Sequence, residues 1–89
     1  MTNLPPLDGA ADAIFRRWGK WCRPTMDRET VGSVVSISLG LGALFDEDEK
    51  AERAWIDRNH PELRCSPFHA IVTGRVDEVL RLVNKERGL

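Results

Sequence analysis

The sequence predicts an all-α fold, a small bundle of about five helices with a long central apolar helix. Three observations support this. Apolar residues recur at steps of three and four along most of the chain, the period of one helix face. No stretch alternates apolar and polar residues as a half-buried strand does. The 89 residues support one small domain, whose stability is modest unless a second chain covers part of it.

The first predicted helix follows a proline-containing tail and has Asp8 as its expected N-cap. Pro24 is expected to end it, because proline lacks a backbone N–H and crowds the preceding turn. The predicted buried face consists of Ala11, Ile14, Phe15, Trp18, Trp21 and Cys22. The opposite side carries a basic stripe of Arg16, Lys20 and Arg23, with Arg17 beside it.

The second helix is predicted to begin near Thr25 or Asp27 and to run to about Phe45. It is apolar over most of its circumference, which is typical of a central, buried helix. Its glycines cost about 1 kcal/mol each in a helix interior and indicate close helix packing. A phosphate-binding loop does not fit, because "GLG" lacks the following Lys-Ser/Thr and no strand precedes it. One face of the helix carries Val31, Val34, Val35, Ser38, Leu41 and Phe45, and Ile37 and Leu44 widen it.

Asp46 is the predicted N-cap of the third helix, because Glu49 three residues later completes a pair like a capping box. Pro61 is expected to break this helix, and Leu63 to anchor the chain back in the core. The periodic face of the helix consists of Ala51, Ala54, Trp55 and Arg58.

Ser66 and Pro67 predict the start of a fourth helix, since serine caps well and proline suits the first helical position. Gly74 is the expected stop. The fifth helix carries Asp77 and Glu78 in its first turn and basic residues in its last, which suits the helix dipole. Its apolar positions are Val76, Val79, Leu80 and Val83.

Composition favours a cytoplasmic protein in a reducing compartment. With 13 basic and 14 acidic residues the net charge is -1, which provides no long-range field to concentrate a polyanion. The two cysteines lie far apart and no signal-peptide pattern precedes them. The longest apolar-rich run, about 15 residues with glycines and serines, is too short and polar to span a bilayer.

The segment "RCSPFHAIVTG" (64–74) brings together residues that occur in catalytic and metal sites. A catalytic pair of Cys65 and His69 would need an orienting third group and oxyanion donors, which a seven-residue helix does not supply. A zinc site from these two residues with Cys22 and His60 lacks the paired ligand spacing. We therefore predict no catalytic residue, no metal, no cofactor and no small-molecule substrate, with Cys65 semi-buried and His69 on the helix surface.

Between Leu39 and Val83 the chain carries a set of short elements in a fixed order: Trp55-Ile56, "HPEL", Ser66-Pro67-Phe68, Thr73-Gly74 and Val76/Val79/Leu80/Leu82. This stretch resembles the toxin-binding domain of Xre/MbcA/ParS-type bacterial antitoxins. The resemblance rests on the order of several short elements rather than on any one of them. It departs at Arg64-Cys65, where relatives often carry glycines, and at His69, where an acidic residue is common.

The resemblance implies an antitoxin that binds and neutralises a cognate toxin, in this family usually a RES-domain enzyme that consumes NAD. Residues 27–89 would form the toxin-binding domain. Residues 1–26 would form a tail and one amphipathic helix, without the complete helix-turn-helix of many relatives, so DNA binding is not supported. Arg81, Lys85 and the terminal carboxylate of Leu89 are expected to meet a polar pocket of the partner. The candidate partner-binding residues are His69, Arg75, Glu78, Arg81, Lys85, Arg87 and Leu89.

A homodimer is also predicted, because the apolar second helix needs more cover than four short helices provide. The alternative function is a small helical nucleic-acid-associated transcriptional regulator that uses the basic stripe of Arg16, Lys20 and Arg23. A solvated helix face also explains that stripe. A salt-dependent DNA shift that is abolished by reversing the charges of Lys20 and Arg23 would favour the regulator.

Overall fold

The computed structural model describes residues 7–21 and 26–89, the first three of them by backbone alone. Within these ranges the protein is a bundle of five helices without a strand, which confirms the all-α prediction. A lone antiparallel bridge, in which His60 N donates to Cys65 O at 3.0 Å, closes the turn before the fourth helix. The helices are α1 (Leu7–Arg17), α2 (Arg28–Leu44), α3 (Glu49–Asp57), α4 (Pro67–Val72) and α5 (Val76–Glu86).

The longest helix, α2, lies at the centre of the bundle and packs against α1, α3 and α5. Val34, Ile37 and Leu41 are fully buried along it, and the Asp27 carboxylate caps it by accepting from Thr30 N at 2.8 Å. The prediction of a central helix is confirmed. No helix in the described ranges is both long and apolar enough to cross a membrane.

One side of α2 nevertheless faces solvent, a feature that the prediction of a central, buried helix does not include. The exposed positions recur at helical spacing, and Leu39 is 71% exposed. We call this surface the α2 outer row. It consists of Gly32, Ser36, Leu39 and Ala43.

The first helix is shorter than predicted. It ends at Arg17 because Gly19 adopts a left-handed conformation (φ 78). Gly19 N then donates to Arg16 O, and the following amide donates to Phe15 O, the paired hydrogen bonds of a Schellman motif. Trp21 consequently leaves the helical face and is 82% exposed, which corrects its predicted burial.

The structure decides some of the other predictions for the first helix and does not describe the rest. Asp8 lies inside α1, one residue after its start, so it is not the N-cap. Cys22, Arg23 and Pro24 lie outside the described residues. Phe15 and Trp18 are each 1% exposed and belong to the same hydrophobic core as residues of α2 to α5. The first helix thus shares one core with the segment that follows the predicted boundary at residue 26.

The start of α3 lies two residues later than predicted. Asp48 is the N-cap, and its Oδ1 accepts from Lys50 N at 3.1 Å and Ala51 N at 3.3 Å. Asp46 is not the cap, because it and Glu47 adopt left-handed φ angles of 55° and 64° that turn the chain from α2 into α3. The predicted buried face also shifts: Ala54 and Arg58 are exposed, whereas Glu52 is fully buried.

The last two helices follow the sequence closely. Ser66 Oγ accepts from His69 N at 3.2 Å, which confirms the predicted cap of α4. Gly74 ends that helix with a left-handed φ of 88°, and Leu63 is 2% exposed, as predicted for a core anchor. The buried side of α5 consists of Val76, Val79, Leu82 and Val83, with Leu80 half-buried.

Candidate partner-binding site

The start of α5 is held by the guanidinium of Arg75. Its Nε and Nη2 donate to the two carboxylate oxygens of Glu78 at 2.8 and 3.0 Å, and Nη2 also donates to the carbonyl of Leu63 at 2.9 Å. Nη1 lies 3.6 Å from Cys65 Sγ. The hydrogen bonds between the pair raise the pKa of Arg75 and lower the pKa of Glu78. Both side chains therefore join α5 to the segment before α4.

We expect the free energy of unfolding of Glu78→Gln to depend less on pH in the acidic range than that of the wild type. The pKa of Glu78 is lowered in the folded protein by its hydrogen bond with Arg75, so the unfolded chain binds the proton more tightly. The stabilisation is therefore complete above the unfolded-state pKa and is lost as the pH falls through the folded-state pKa. At neutral pH the wild type should unfold at a higher urea concentration than the variant. This difference in the unfolding midpoint should shrink as the pH falls toward about 3.

The exposed neighbour Asp77 provides the control for this measurement. Asp77→Asn also removes one carboxylate from the first turn of α5. It therefore measures how much stability is lost when a favourable negative charge near the helix N-terminus is removed. A difference in urea midpoint between wild type and Glu78→Gln that stays the same at every pH would contradict the expectation.

An open groove of about 590 Å³ runs along the outer side of α5. Lys85 Nζ donates to Glu62 Oε1 at 2.7 Å at its rim, and this hydrogen bond raises the pKa of Lys85. Within the described part of the chain, the exposed guanidinium of Arg81 forms no salt bridge. Apolar contact area with a few charged groups at the edge is typical of a protein-binding surface. The groove is lined by Glu62, Leu63, Glu78, Arg81, Leu82, Asn84, Lys85 and Leu89.

The structure brings together four of the seven predicted partner-binding residues, because Glu78, Arg81, Lys85 and Leu89 all line this groove. Arg75 is half-buried at the start of α5 and does not line it. His69 is exposed on α4, also outside the groove. The side chain of Arg87 lies against Gly40 of α2. Helical spacing explains the grouping of Glu78, Arg81 and Lys85, since positions three and four apart share one face. Leu89 lies beyond the end of α5 and reaches the groove through the turn at Gly88.

The groove also contains residues that the sequence analysis did not single out as partner-binding. Leu82 follows the apolar period of α5 and could have been found there. Glu62 could not, because its ion pair with Lys85 joins positions 23 residues apart. Only the packing of the turn that contains Leu63 against α5 makes these neighbours.

A second groove, of about 600 Å³, lies where α3 meets the ends of α2 and α5. Trp55 Nε1 donates to Glu86 Oε2 at 2.7 Å, which holds the end of α5 against α3. No local pattern indicates this groove, because three separate elements form it. Its lining residues are Leu44, Phe45, Ala51, Ala54, Trp55, Arg58 and Glu86.

The basic stripe of α1 is engaged within the protein where the structure describes it. Arg16 Nη2 lies 3.3 Å from Asp12. Lys20 pairs with Asp57, and its Nζ lies 4.9 Å from the ring centre of Phe68. Arg23, the third member, lies outside the described residues. The described cations of the stripe thus meet carboxylates of this chain, which weakens the attraction that they would exert on a phosphate backbone.

The cysteine and histidine side chains in the described ranges differ in their burial and in their contacts. Cys65 is half-buried, as predicted, and its thiol faces Arg75. His60 is buried, with its ring 4.7 Å from that of Trp55 and its Nε2 3.3 Å from Trp55 O. His69 is exposed, as predicted. Among the described residues no three His, Cys, Asp or Glu side chains form a group that could hold a metal ion.

Comparison with known proteins found no matching family model, no matching curated protein and no matching solved structure. The antitoxin resemblance therefore stays a prediction from the residues, and the groove beside α5 is the feature from which a function can be inferred.

Proposed function

We propose that this protein is a non-catalytic binding module, an antitoxin that neutralises a cognate toxin through α5 and the groove beside it. The observation that carries the proposal is the groove itself, which has Leu63 and Leu82 among its lining residues and, at its rim, an exposed Arg81 that forms no salt bridge within the described residues. An arginine that gains a carboxylate partner next to buried apolar contacts is a common source of binding energy. The resemblance in sequence suggests a RES-domain, NAD-consuming toxin in a bacterial cytoplasm.

The contacts that hold both ends of α5 support this role. Arg75 holds the start of the helix, the Trp55–Glu86 hydrogen bond holds its end, and Val79 and Val83 are fully buried between them. A surface that is already ordered loses little conformational entropy when a partner binds. Helix α5 can therefore present its outer side to a toxin without rearrangement.

Leu89 adds an apolar contact to this surface. Gly88 is left-handed (φ 79), and Leu89 N donates to Asn84 O at 2.9 Å. Leu89 is thereby held at the groove with 78% of its surface exposed. An apolar side chain beside a cation suits insertion at the mouth of a toxin active site, where the bound helix would block substrate access.

Arg81→Glu should weaken toxin binding by about tenfold to a hundredfold, because it places a carboxylate where the partner is expected to supply one. Calorimetric titration of the purified toxin measures the change in Kd, and co-expression in cells measures neutralisation. Asp77→Lys is the matched control: it reverses an exposed charge one turn earlier on α5, outside the groove.

Neutralisation and Kd that are unchanged in Arg81→Glu would contradict the proposed surface. Full neutralisation by a variant that lacks Gly88 and Leu89 would contradict the proposed role of Leu89. If the wild-type protein binds no toxin, and instead shifts DNA in a salt-dependent manner that charge reversal of Lys20 abolishes, the regulator is the better description.

A further inference from the structure

We draw no further inference here: the strongest candidate, the α2 outer row of Gly32, Ser36, Leu39 and Ala43, carries none, because nothing in the structure shows what covers this exposed face of the helix.

Discussion

Glu52→Ala is expected to lower the free energy of unfolding by about 3 kcal/mol. Glu52 is fully buried, and its carboxylate accepts from Arg17 Nη2 at 2.8 Å and from Arg17 Nε at 3.2 Å. The same hydrogen bonding raises the pKa of Arg17. Removing the carboxylate leaves the guanidinium without its main partner at the junction of α1 and α3. The effect lies at the lower end for broken buried pairs, because the Arg17 side chain is 32% exposed and can be rehydrated.

Urea unfolding followed by far-ultraviolet circular dichroism measures this loss. Glu49→Ala is the matched control, since Glu49 pairs with Arg53 and approaches Arg17 at 3.9 Å but is 47% exposed. Exposed pairs contribute about 0–1 kcal/mol. Equal losses for the two variants would contradict the structural role of the buried pair. Replacing Glu52 and Arg17 together with methionine should cost less than Glu52→Ala, because no unpaired charge is then left behind.

Two glycines of α2 are expected to respond to alanine with opposite signs. A Cβ at Gly40 would lie 2.6 Å from Val83 Cγ1, which is closer than the two carbon atoms can approach without a clash. Val83 is fully buried, and a β-branched side chain on a helix has little rotamer freedom to move away. We therefore expect Gly40→Ala to cost about 1–2 kcal/mol in spite of the better helix propensity of alanine.

Gly32→Ala is the matched control on the same helix. A Cβ there meets no atom within 4 Å of this chain, so the variant should gain up to about 1 kcal/mol from helix propensity. Thermal and urea unfolding of both variants measure the difference. In a Gly40→Ala/Val83→Ala double variant the clash is removed, so the double variant should be no less stable than Val83→Ala alone. A stabilising Gly40→Ala would contradict the close approach of α2 and α5.

The elements that sequence predicts best are those whose ends depend on neighbouring residues. Ser66 and Gly74 bound α4 through a cap and a left-handed glycine, both local interactions. The end of α1 at Arg17 differs from the prediction that Pro24 ends this helix, although a local signal of the same kind is present in the left-handed Gly19. Asp46 and Asp48 are both suitable N-cap residues for α3. The left-handed turn at Asp46 and Glu47 makes Asp48 the cap, and this turn depends on how α3 packs after α2.

The candidate site was predictable only in part for the same reason. The period of α5 places Glu78, Arg81 and Lys85 on one side of a helix, and the structure confirms that grouping. The partners of these side chains lie elsewhere in the chain, at Glu62 for Lys85 and at the Leu63 carbonyl for Arg75. The burial of Glu52 has no sequence signal, since an acidic residue on an amphipathic helix normally faces water.

The sequence by itself determined the all-α class, the central place of α2 and the bounds of the last two helices, because periodicity and capping act over a few residues. Only the tertiary structure decided which charges are buried in pairs, where the grooves lie and which side of α2 remains in solvent. These features depend on contacts between helices that are distant in the chain. The exposed Leu39 illustrates the difference: its apolar character is visible in the sequence, but its lack of cover is a property of the packed bundle.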